Sequence, residues 1–568
     1  MSHNTIDGAL LKEMIISGAN LLEQNRELVD TLNVFPVPDG DTGTNMSLTM
    51  RSTVSEIEAK DEHDASRMLA MAAKGALKGA RGNSGVILSQ ILRGFSRGIE
   101  GSEEINADTF VKGLRRGADT AYKAVMKPKE GTILTVIRVI AEDAERYIKK
   151  HPGDLDALLG KVVRSGEAIL KKTPDMLPAL KEAGVVDSGG QGLVFIFRGW
   201  LAAFRGEHIE LAPEPEAQEE AAEEAELKYR YRTEFVILSL REGVTEDDLN
   251  RYRTRLSRIG EGVSLEGLDG DHAPIRVRVQ TNDPGKAIQY ACDMGEIKDL
   301  TMVNLAEQRR EAKRRAEEEA RRREEEAKEA ARLADEAKRQ AEEAARNAPV
   351  KPYGIVAVSI GEGFSQIFSD LGVDVIVEGG QTMNPSIEDI GGAIEKVHAE
   401  NVFVLPNNSN VILAATQAAD LSEGNVVVLP TKNTAMGIGA VVAFNPEATP
   451  EENRETMTAA AEQVKTGQIT FAVRDSVFEE KEIHEGDIIG IHNGRIETVG
   501  NDVHDVAIDL VKSVVEDGDT LITVYYGEQT EEDVAESLRN EIAELFPDMD
   551  VVSQYGGQPL YYYLISAE

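Results

Sequence analysis

Apolar residues recur at helical spacing through the first two hundred residues. Between Ile6 and Asn25 they fall three or four positions apart, as on one face of a helix. The same spacing returns in the segments 64–79, 84–99, 107–126, 133–149, 155–172 and 191–205. Strand-like alternation is rare here, so the pattern predicts a helical domain over 1–205, with loops rich in Gly, Asp, Asn and Pro at the helix starts.

The pattern changes after an acidic, proline-containing stretch at 206–228, whose composition is typical of a linker. Over 229–304, strand-like alternation and helical spacing both occur, which predicts a small α+β domain. The predicted strands are Arg232–Leu240 and Pro274–Gln280, and the predicted helices are Glu246–Ile259 and Asp283–Met294.

A charged segment at 305–349 follows, composed up to residue 347 almost entirely of Ala, Glu, Lys, Arg and Gln. As one helix, 305–347 would span roughly 65 Å at about 1.5 Å per residue. Leu305 and Leu333 are its only large aliphatic residues, so it lacks the sustained heptad of a coiled coil. A solvated spacer helix held by i,i+4 charge pairs is favoured over a partner-binding or dimerising helix.

The last segment, 350–568, alternates short β-rich runs with helical stretches, which predicts an α/β domain with a parallel sheet. The runs are Ile355–Ile360, Val373–Val377, Asn401–Leu405 and Asn425–Val428. Further on, Asn493-Gly494 predicts a two-residue hairpin turn, because both residues tolerate positive φ.

Composition limits the classes of function. The net charge of −38 would repel nucleic acid and anionic membranes. A single cysteine, Cys292, excludes an internal disulfide framework, and the start of the chain lacks the pattern of a signal peptide. No apolar stretch approaches the roughly 20 residues of a membrane span. We therefore expect a cytoplasmic protein without nucleic acid or stable membrane insertion, in which any anionic substrate needs local compensation by metal ions, backbone N–H groups or a few cations.

The strongest chemical motif is Asn33-Val-Phe-Pro-Val-Pro-Asp-Gly-Asp-Thr-Gly-Thr-Asn-Met46. Its prolines stiffen a turn, and the glycine between Asp39 and Asp41 lets both carboxylates face one point. Magnesium takes such hard oxygen ligands at about 2.1 Å, usually together with phosphates. The alternatives are an acidic turn that caps the following helix or a calcium loop, although no Glu closes an EF-hand pattern.

Two glycine-rich segments, 79–85 and 184–192, open predicted helices. The free N–H groups of a helix start can hold a phosphate, although such a segment taken alone is most often a turn. Neither a P-loop nor a protein-kinase catalytic loop occurs in the sequence.

The string 33–46 resembles the DhaL-type nucleotide-binding subunit of dihydroxyacetone kinases, and resembles more closely the catalytic subunit of bacterial fatty acid kinase. The resemblance covers the chain except for the charged helix. It implies an all-α eight-helix barrel with ATP and two magnesium ions at one mouth, and a C-terminal α/β domain that engages an acyl-carrying protein. Asp39 and Asp41 would be the magnesium ligands. Asn33 stands near the position at which the dihydroxyacetone kinases have a third aspartate.

By the same resemblance, the glycine-rich segment 79–85 holds the ATP phosphates and 129–134 lines the nucleotide site. Asp187 matches a family position near the nucleotide but equally fits a helix N-cap. Arg81 is a candidate catalytic cation. The expected nucleotide contacts are Thr42, Thr44, Asn45, Met46, Gly82, Asn83, Ser84, Gly85, Thr132, Ile133 and Asp187.

The middle domain departs from some fatty acid kinase subunits, which carry a Cys and two His residues there as a metal site. The matching positions hold Arg232, Arg278 and Gln280, which are not zinc ligands, so no zinc is expected. The resemblance also implies a homodimer formed through this domain.

In the C-terminal domain, the polar loops 379–386 and 405–410 follow predicted strands. Loops at the carboxyl edge of an open α/β sheet bind ligands, although polar turns explain these loops equally well.

The function predicted from all of this is phosphoryl transfer from ATP to the carboxylate of a fatty acid presented by a partner protein. The alternatives are an ATP-sensing scaffold and a phosphotransferase component like those of the dihydroxyacetone kinases.

Overall fold

A computed structural model describes residues 4–34, 40–207, 209–211, 228–241, 244–267, 274–308, 310, 314, 322, 350–379, 384–472, 476–478 and 481–568. Asp39 and most of the predicted linker and spacer helix lie outside these residues. The chain forms two compact units, one made of Met1–Leu211 with Ala345–Glu568 and the other of Ala212–Ala344. None of the described helices is long and apolar enough to cross a bilayer.

The amino-terminal part is helical, which confirms the prediction. Its elements are α1 (Gly8–Gln24), α2 (Arg26–Thr31), α3 (Thr42–Ile57), α4 (Ala65–Lys78), α5 (Gly82–Gly98), α6 (Ala107–Ala124), α7 (Ile133–Ile148), α8 (Leu155–Leu170), a 3-10 turn (Thr173–Asp175), α9 (Pro178–Ala183) and α10 (Ser188–Phe204). Several begin where an Asp or Asn side chain accepts a hydrogen bond from a first-turn N–H group, as Asp7, Asp64 and Asn106 do.

Eight of these described helices pack side by side in a closed ring, in the order α1, α3, α4, α5, α6, α7, α8, α10 and back to α1. The ring closes tightly because a Cβ atom at Gly199 of α10 would lie 2.5 Å from the Cα of Gly18 in α1. Trp200 fills the interior and meets Phe95 and Phe110 edge to face, at centroid distances of 5.9 and 6.4 Å. This ring is the expected eight-helix barrel.

The second unit is an α+β fold with an antiparallel sheet in the order β2-β3-β1-β4. Its elements are β1 (Tyr231–Leu240), the helix Glu246–Ile259, β2 (Gly260–Gly267), β3 (Ile275–Thr281), the helix Pro284–Met294 and β4 (Gly295–Asn304). In β3 the odd-numbered residues are buried and the even-numbered ones exposed, as their alternation predicts. β2 and β4 were not predicted, because both are short of apolar alternation.

The carboxyl-terminal part contains the predicted parallel sheet, in the order β6-β5-β7-β8. Its strands are β5 (Lys351–Ser359), β6 (Val375–Glu378), β7 (Ala399–Leu405) and β8 (Asn425–Val428). The helices of this region are Glu362–Asp370, Ile387–Val397, Ile412–Leu421, Thr434–Val442 and Pro450–Gln463.

A second, mixed sheet of order β13-β12-β9-β16-β14-β15 follows, beside a short β10-β11 pair. The elements of this part of the chain are β9 (Lys465–Phe471), β10 (Ser476–Phe478), β11 (Lys481–Ile483), β12 (Ile488–His492), β13 (Arg495–Gly500), β14 (Leu521–Tyr526), β15 (Asp550–Tyr555), β16 (Tyr563–Ala567) and the helices Val503–Val514 and Glu532–Leu545. The hairpin prediction is confirmed, since Asn493 and Gly494 join β12 to β13 with φ values of 52° and 76°.

Within the first unit, the parallel-sheet region packs against the start of α5. Ala80 and Val86 belong to the same buried apolar cluster as residues of β5, β7 and the helix Ile387–Val397. The backbone N–H of Ile387 donates to the carbonyl of Ala80 at 3.2 Å, and Arg81 forms an isolated β-bridge with Ser386. The two parts of the chain thus share a core at the point where α5 begins.

Candidate functional site

Alternate helices of the ring begin at one end of the barrel, which brings the first turns of α3, α5, α7 and α10 together. The hydroxyl of Ser188 in α10 donates to that of Thr42 in α3 at 3.3 Å. A Cβ atom on Gly189 would lie 3.3 Å from the Cβ of Ile133 in α7. Helix starts carry free N–H groups and the positive end of the helix dipole. Their gathering places the positive ends of four helix dipoles at one mouth, an arrangement that suits an anion.

Asp41 lies at this mouth, in the position just before α3. It is only 7% exposed, and its side chain makes no capping hydrogen bond to the helix. Its Oδ2 accepts a hydrogen bond of 2.6 Å from Nδ2 of Asn384. The carboxylate therefore contacts a side chain of the carboxyl-terminal region.

The start of α3 is capped instead by Asp30, a residue that the sequence did not single out. Its Oδ1 accepts from the backbone N–H of Thr44 at 3.0 Å, and its Oδ2 accepts from the Thr44 hydroxyl at 2.9 Å. Burial raises the pKa of Asp30, while these bonds and one from the N–H of Gly43 limit the rise. The hydroxyl of Thr44, expected at the phosphates, is thus engaged by Asp30. Because Asp30 does the capping, that task does not fall to Asp41.

The start of α5 needs glycine at position 82. Gly82 has φ +57°, and a Cβ atom there would lie 2.6 Å from Nδ2 of Asn45. One residue on, the side-chain amide of Asn83 donates to Oδ1 of Asn410 at 2.8 Å. At Gly85 a Cβ atom would lie 2.4 Å from the hydroxyl of Thr49. The glycines thus let the start of α5 approach α3 closely.

Arg81 is held by the carboxyl-terminal region. Its Nη1 donates to the backbone carbonyl of Asn384 at 2.8 Å, and its Nη2 lies 3.4 Å from Oδ2 of Asp389. In this arrangement the guanidinium fixes the loop that carries Asn384. Its expected role as a cation for the transferred phosphoryl group stays a prediction.

Asp187 joins the starts of α7 and α10. Its Oδ2 accepts from the N–H of Gly190 at 2.7 Å, which confirms the N-cap interpretation, and the N–H of Ile133 also donates to it. Burial raises the pKa of Asp187 to about 7, although these two N–H groups favour the ionised form. Its contact with the nucleotide stays a prediction.

The other predicted nucleotide contacts differ in their accessibility. The side chains of Met46 and Ile133 are buried in the helical core, so only their backbone groups remain for a ligand. The hydroxyl of Thr132 donates to the carbonyl of Lys129 at 2.9 Å. Ser84 is partly exposed in the first turn of α5, whereas Asn33 is buried.

The polar loops of the carboxyl-terminal region meet the barrel at this same mouth. Asn384, from the loop after β6, is 1% exposed and lies between Asp41 and Asn45, with its Nδ2 3.5 Å from Oδ1 of Asn45. Its own Oδ1 is buried without a hydrogen-bond partner among the described residues. From the next loop, Asn410 meets Asn83. Residues 380–383 of the first loop lie outside the described residues.

The groups around Asp41 fit magnesium and phosphate in kind. Carboxylate, amide and hydroxyl oxygens come together there, and these are the donors that magnesium prefers. The unpaired amide oxygen of Asn384 is a further hard donor. Among the described residues, which do not include Asp39, no three His, Cys, Asp or Glu side chains gather as metal ligands.

The three positions at which the resemblance implied a metal site in other members come together in the middle unit. Arg232 on β1 pairs with Gln280 on β3, and the Nε of Arg278 donates to Glu234 at 2.7 Å. Arg232 lies 3.8 Å from the same carboxylate. Two arginines thus surround the carboxylate of Glu234 at these positions. The absence of zinc remains an expectation.

Three family models match the chain in succession. They are the DAK2 domain over 36–202, the FakA-like middle domain of fatty acid kinase over 228–312, and the FakA-like C-terminal region of fatty acid kinase over 354–568. Their order is the predicted one.

Relatives match over the full length. Protein YloV of Bacillus subtilis is 40% identical over 581 residues, which cover 100% of both chains. Protein SH1689 of Staphylococcus haemolyticus is 38% identical over 573 residues, or 99% of each chain. Among solved structures, the DegV family protein Cg2579 from Corynebacterium glutamicum aligns with 38% of this chain and 96% of its own, at 15% identity and a TM-score of 0.30. On its domain order and full-length relatives, the chain belongs to the FakA-like family of fatty acid kinase subunits and carries a DAK2 domain.

Proposed function

We propose that the chain is the cytoplasmic, ATP-dependent subunit of a kinase that phosphorylates the carboxylate of a fatty acid held by a separate protein. Membership of the family supports a kinase-type phosphotransferase. The observation that carries the proposal is the position of Asp41, a buried carboxylate at a mouth where several helix starts meet. A carboxylate among anion-binding groups is expected where a metal ion bridges protein and phosphate.

Each group at the mouth has a proposed task. The backbone N–H groups in the first turn of α5, with those of α3 and α10 that Asp30 and Asp187 do not engage, bind the phosphates of ATP. Asp41, together with Asp39, holds magnesium, and Asn45, Thr42 and Ser188 bind phosphate oxygens. When bound, magnesium would supply positive charge against the phosphates. The protein thereby compensates the charge of ATP locally, despite its net charge of −38.

The proposed acceptor needs no strong base. A fatty acid carboxyl group has a pKa of roughly 4 to 5 and is ionised at neutral pH. One carboxylate oxygen forms a bond to the γ-phosphorus, and the bond from that phosphorus to the β,γ-bridging oxygen breaks. The products are an acyl phosphate and ADP, and no proton has to be transferred. The barrel then contributes positioning and charge stabilisation.

A partner that carries the acyl chain is part of the proposal. The FakA-like family is named for one subunit of a fatty acid kinase, which supports a second component. The dihydroxyacetone-kinase-like alternative shares the DAK2 domain but leaves the two FakA-like regions without a role.

The test is ATP turnover by the full chain with and without a fatty-acid-loaded binding protein. We expect ADP release only with the loaded protein, and we expect hydroxylamine to trap the product as an acyl hydroxamate. Turnover with dihydroxyacetone alone would support the alternative of a dihydroxyacetone-kinase-like phosphotransferase. Nucleotide binding without turnover on any acceptor would support the scaffold, and either result would refute the proposal.

A homodimer formed through the middle unit is a second part of the proposal. Leu238 on β1 and Leu300 on the neighbouring β4 are 43% and 48% exposed, and a second copy could cover them. Leu238→Glu should halve the mass measured by sedimentation equilibrium. Leu371→Glu, at a leucine 38% exposed in the first unit, should leave the mass unchanged. A monomeric unsubstituted chain would contradict this part.

A further inference from the structure

A side chain from the carboxyl-terminal region enters the mouth of the barrel. Asn384 is 1% exposed, and its Nδ2 donates to Oδ2 of Asp41 at 2.6 Å. Its Oδ1 has no partner among the described residues. Burial of an amide oxygen without a donor or cation is unfavourable, and such an atom in a native protein requires an explanation. The unpaired oxygen therefore points to a ligand.

The backbone of Asn384 and of the residues that follow it is held by bonds to the start of α5. Arg81 binds the carbonyl of Asn384 itself, at 2.8 Å. Two residues on, Ser386 forms the β-bridge with Arg81 and caps the next helix by accepting from the N–H of Asp389 at 3.0 Å. The N–H of Ile387 then donates to Ala80 at 3.2 Å. These bonds hold the segment from Asn384 to Ile387 against the start of α5.

The same interface extends beyond the mouth. Nε2 of Gln90 on α5 donates to Oε1 of Gln417 at 3.0 Å. Ala80 and Val86 are buried in an apolar cluster with the helix Ile387–Val397. Docking of the carboxyl-terminal region thus has contacts of its own, which do not depend on Asn384.

The chemistry of the amide suits a divalent cation. Carboxylate and amide oxygens are both hard donors, and neighbouring ligands of one magnesium ion lie about 3 Å apart when each bond is about 2.1 Å. Half a turn of the amide exchanges Nδ2 and Oδ1, and which atom faces Asp41 depends on what else is bound there. With a cation on Asp41, the oxygen is the atom that would face it.

We infer that Asn384 is a ligand, contributed by the carboxyl-terminal region, of the divalent cation that accompanies the nucleotide at Asp41. The inference rests on the proposed function and adds to it that the nucleotide site is composite. The barrel supplies the helix starts and Asp41, and the loop after β6 supplies an amide oxygen. The cation site is then complete only while the two regions are docked.

The test measures Mn²⁺ binding by electron paramagnetic resonance, on the full chain with a non-hydrolysable ATP analogue. Asn384→Ala should weaken Mn²⁺ binding by about 10-fold or more, in the range seen when groups that support a metal site are removed. Asn384→Asp should retain tight binding, because a carboxylate oxygen replaces the amide oxygen. Gln417→Ala is the matched control, since it removes an amide contact of the same interface away from the mouth. It should bind Mn²⁺ as the unsubstituted chain does.

Each other outcome has a separate meaning. Equal weakening in the Asn384→Ala and Gln417→Ala variants would show that docking alone matters and would overturn the inference. Unchanged binding in Asn384→Ala, with binding lost in Asp41→Asn, would overturn the inference and leave the proposed function standing. Unchanged binding in Asp41→Asn would overturn the proposed function itself. If Asn384→Ala fails to fold, weak Mn²⁺ binding by the Asn384→Asp variant would refute the ligand role.

Discussion

Two aspartates at the start of α3 divide two tasks between them. Asp30 accepts hydrogen bonds from both the N–H and the hydroxyl of Thr44, and thereby caps the start of the helix. Asp41 stands where a capping residue would be, yet makes no capping bond and meets Asn384 instead. A carboxylate at the head of a helix that it does not cap is suited to bind a metal or phosphate complex.

We predict that Asp41→Ala abolishes kinase activity and preserves the fold. The carboxylate makes no capping bond but accepts a hydrogen bond from buried Asn384, so its loss should lower the free energy of unfolding by about 1–3 kcal/mol and leave the chain folded. Turnover should fall by about 10²-fold or more, as when a preorganised electrostatic group is removed from a transition state. Measurement of ATP turnover checks the predicted loss of activity, and thermal unfolding checks that the fold is preserved. Asp61→Ala, at an exposed carboxylate, should leave both unchanged, and unsubstituted-level activity in Asp41→Ala would refute the metal assignment.

Asp187 gives a prediction about pH. Its folded-state pKa of about 7 exceeds the ordinary value of 3.8, because burial disfavours the charged form. Between these values the folded chain holds a proton that the unfolded chain has released. The contribution of Asp187 to stability is therefore largest below about pH 4, and is lost as the pH rises to about 7.

Asp187→Asn should remove this dependence and keep the cap, since an amide oxygen can also accept from Gly190. The free energy of unfolding of the unsubstituted chain, minus that of the variant, should fall by at most about 1.4 kcal/mol per pH unit between pH 4 and 7, and stay level above. Urea unfolding at several pH values measures it. A difference that is flat or rises over this range would contradict the prediction.

At the scale of elements, long helices and buried strands could be predicted because their patterns are local. The spacing of apolar residues placed α6 at 107–126 and α8 at 155–172, and the helices occupy Ala107–Ala124 and Leu155–Leu170. The strand β2 escaped prediction because Gly260–Gly267 holds three glycines and few apolar residues. It pairs with β3 through backbone hydrogen bonds, which the pattern of side chains does not predict.

The candidate site was predictable only in its local parts. The glycine-rich starts at 79–85 and 184–192 do open helices, and Asp41 does stand before α3. Asp30 was missed because it lies outside the motif. Asn384 lies in the loop 379–386, which was named as a possible ligand-binding loop, but its contact with Asp41 was not predicted. Asn384 is 343 positions from Asp41 along the chain, and only the docking of two regions brings them together.

Alanine substitutions at two glycines distinguish the effect of crowding at the start of α5 from the effect of backbone strain. Gly82 and Gly101 both have positive φ, at +57° and +78°. A Cβ atom at 82 meets Asn45 at 2.6 Å, whereas one at 101 meets no atom within 4 Å. Alanine should cost about 1 kcal/mol at either site through its backbone. Only Gly82→Ala should also displace Asn45 and weaken binding of the nucleotide.

Isothermal titration with a non-hydrolysable ATP analogue measures the affinity, and thermal unfolding measures the cost in stability. Gly101→Ala should retain the affinity of the unsubstituted chain. If both variants bound the nucleotide equally well, the first turn of α5 would not contribute to its site.

At the scale of the whole molecule, the joining of barrel and parallel sheet is the feature with most consequence for function. It rests on an apolar cluster at Ala80 and Val86, flanked by ion pairs such as Lys78 with Glu388 at 3.1 Å. An exposed ion pair contributes little, so the apolar cluster supplies most of the stabilisation. The proposed nucleotide site and the proposed partner-binding region are thereby linked through one interface.

Val86→Asp should separate the two regions. An aspartate at this position would be buried among valines and isoleucines without a partner, which is strongly unfavourable while the regions stay docked. Undocking exposes the charge to water, so each region should keep its own fold. Thermal unfolding should then show two transitions in place of a joint one, and amide exchange should quicken in the helix Ile387–Val397. Met126→Asp, at a methionine 89% exposed, should change neither. One joint transition at a lower temperature would show instead that Val86 stabilises the barrel itself, and that docking survives its loss.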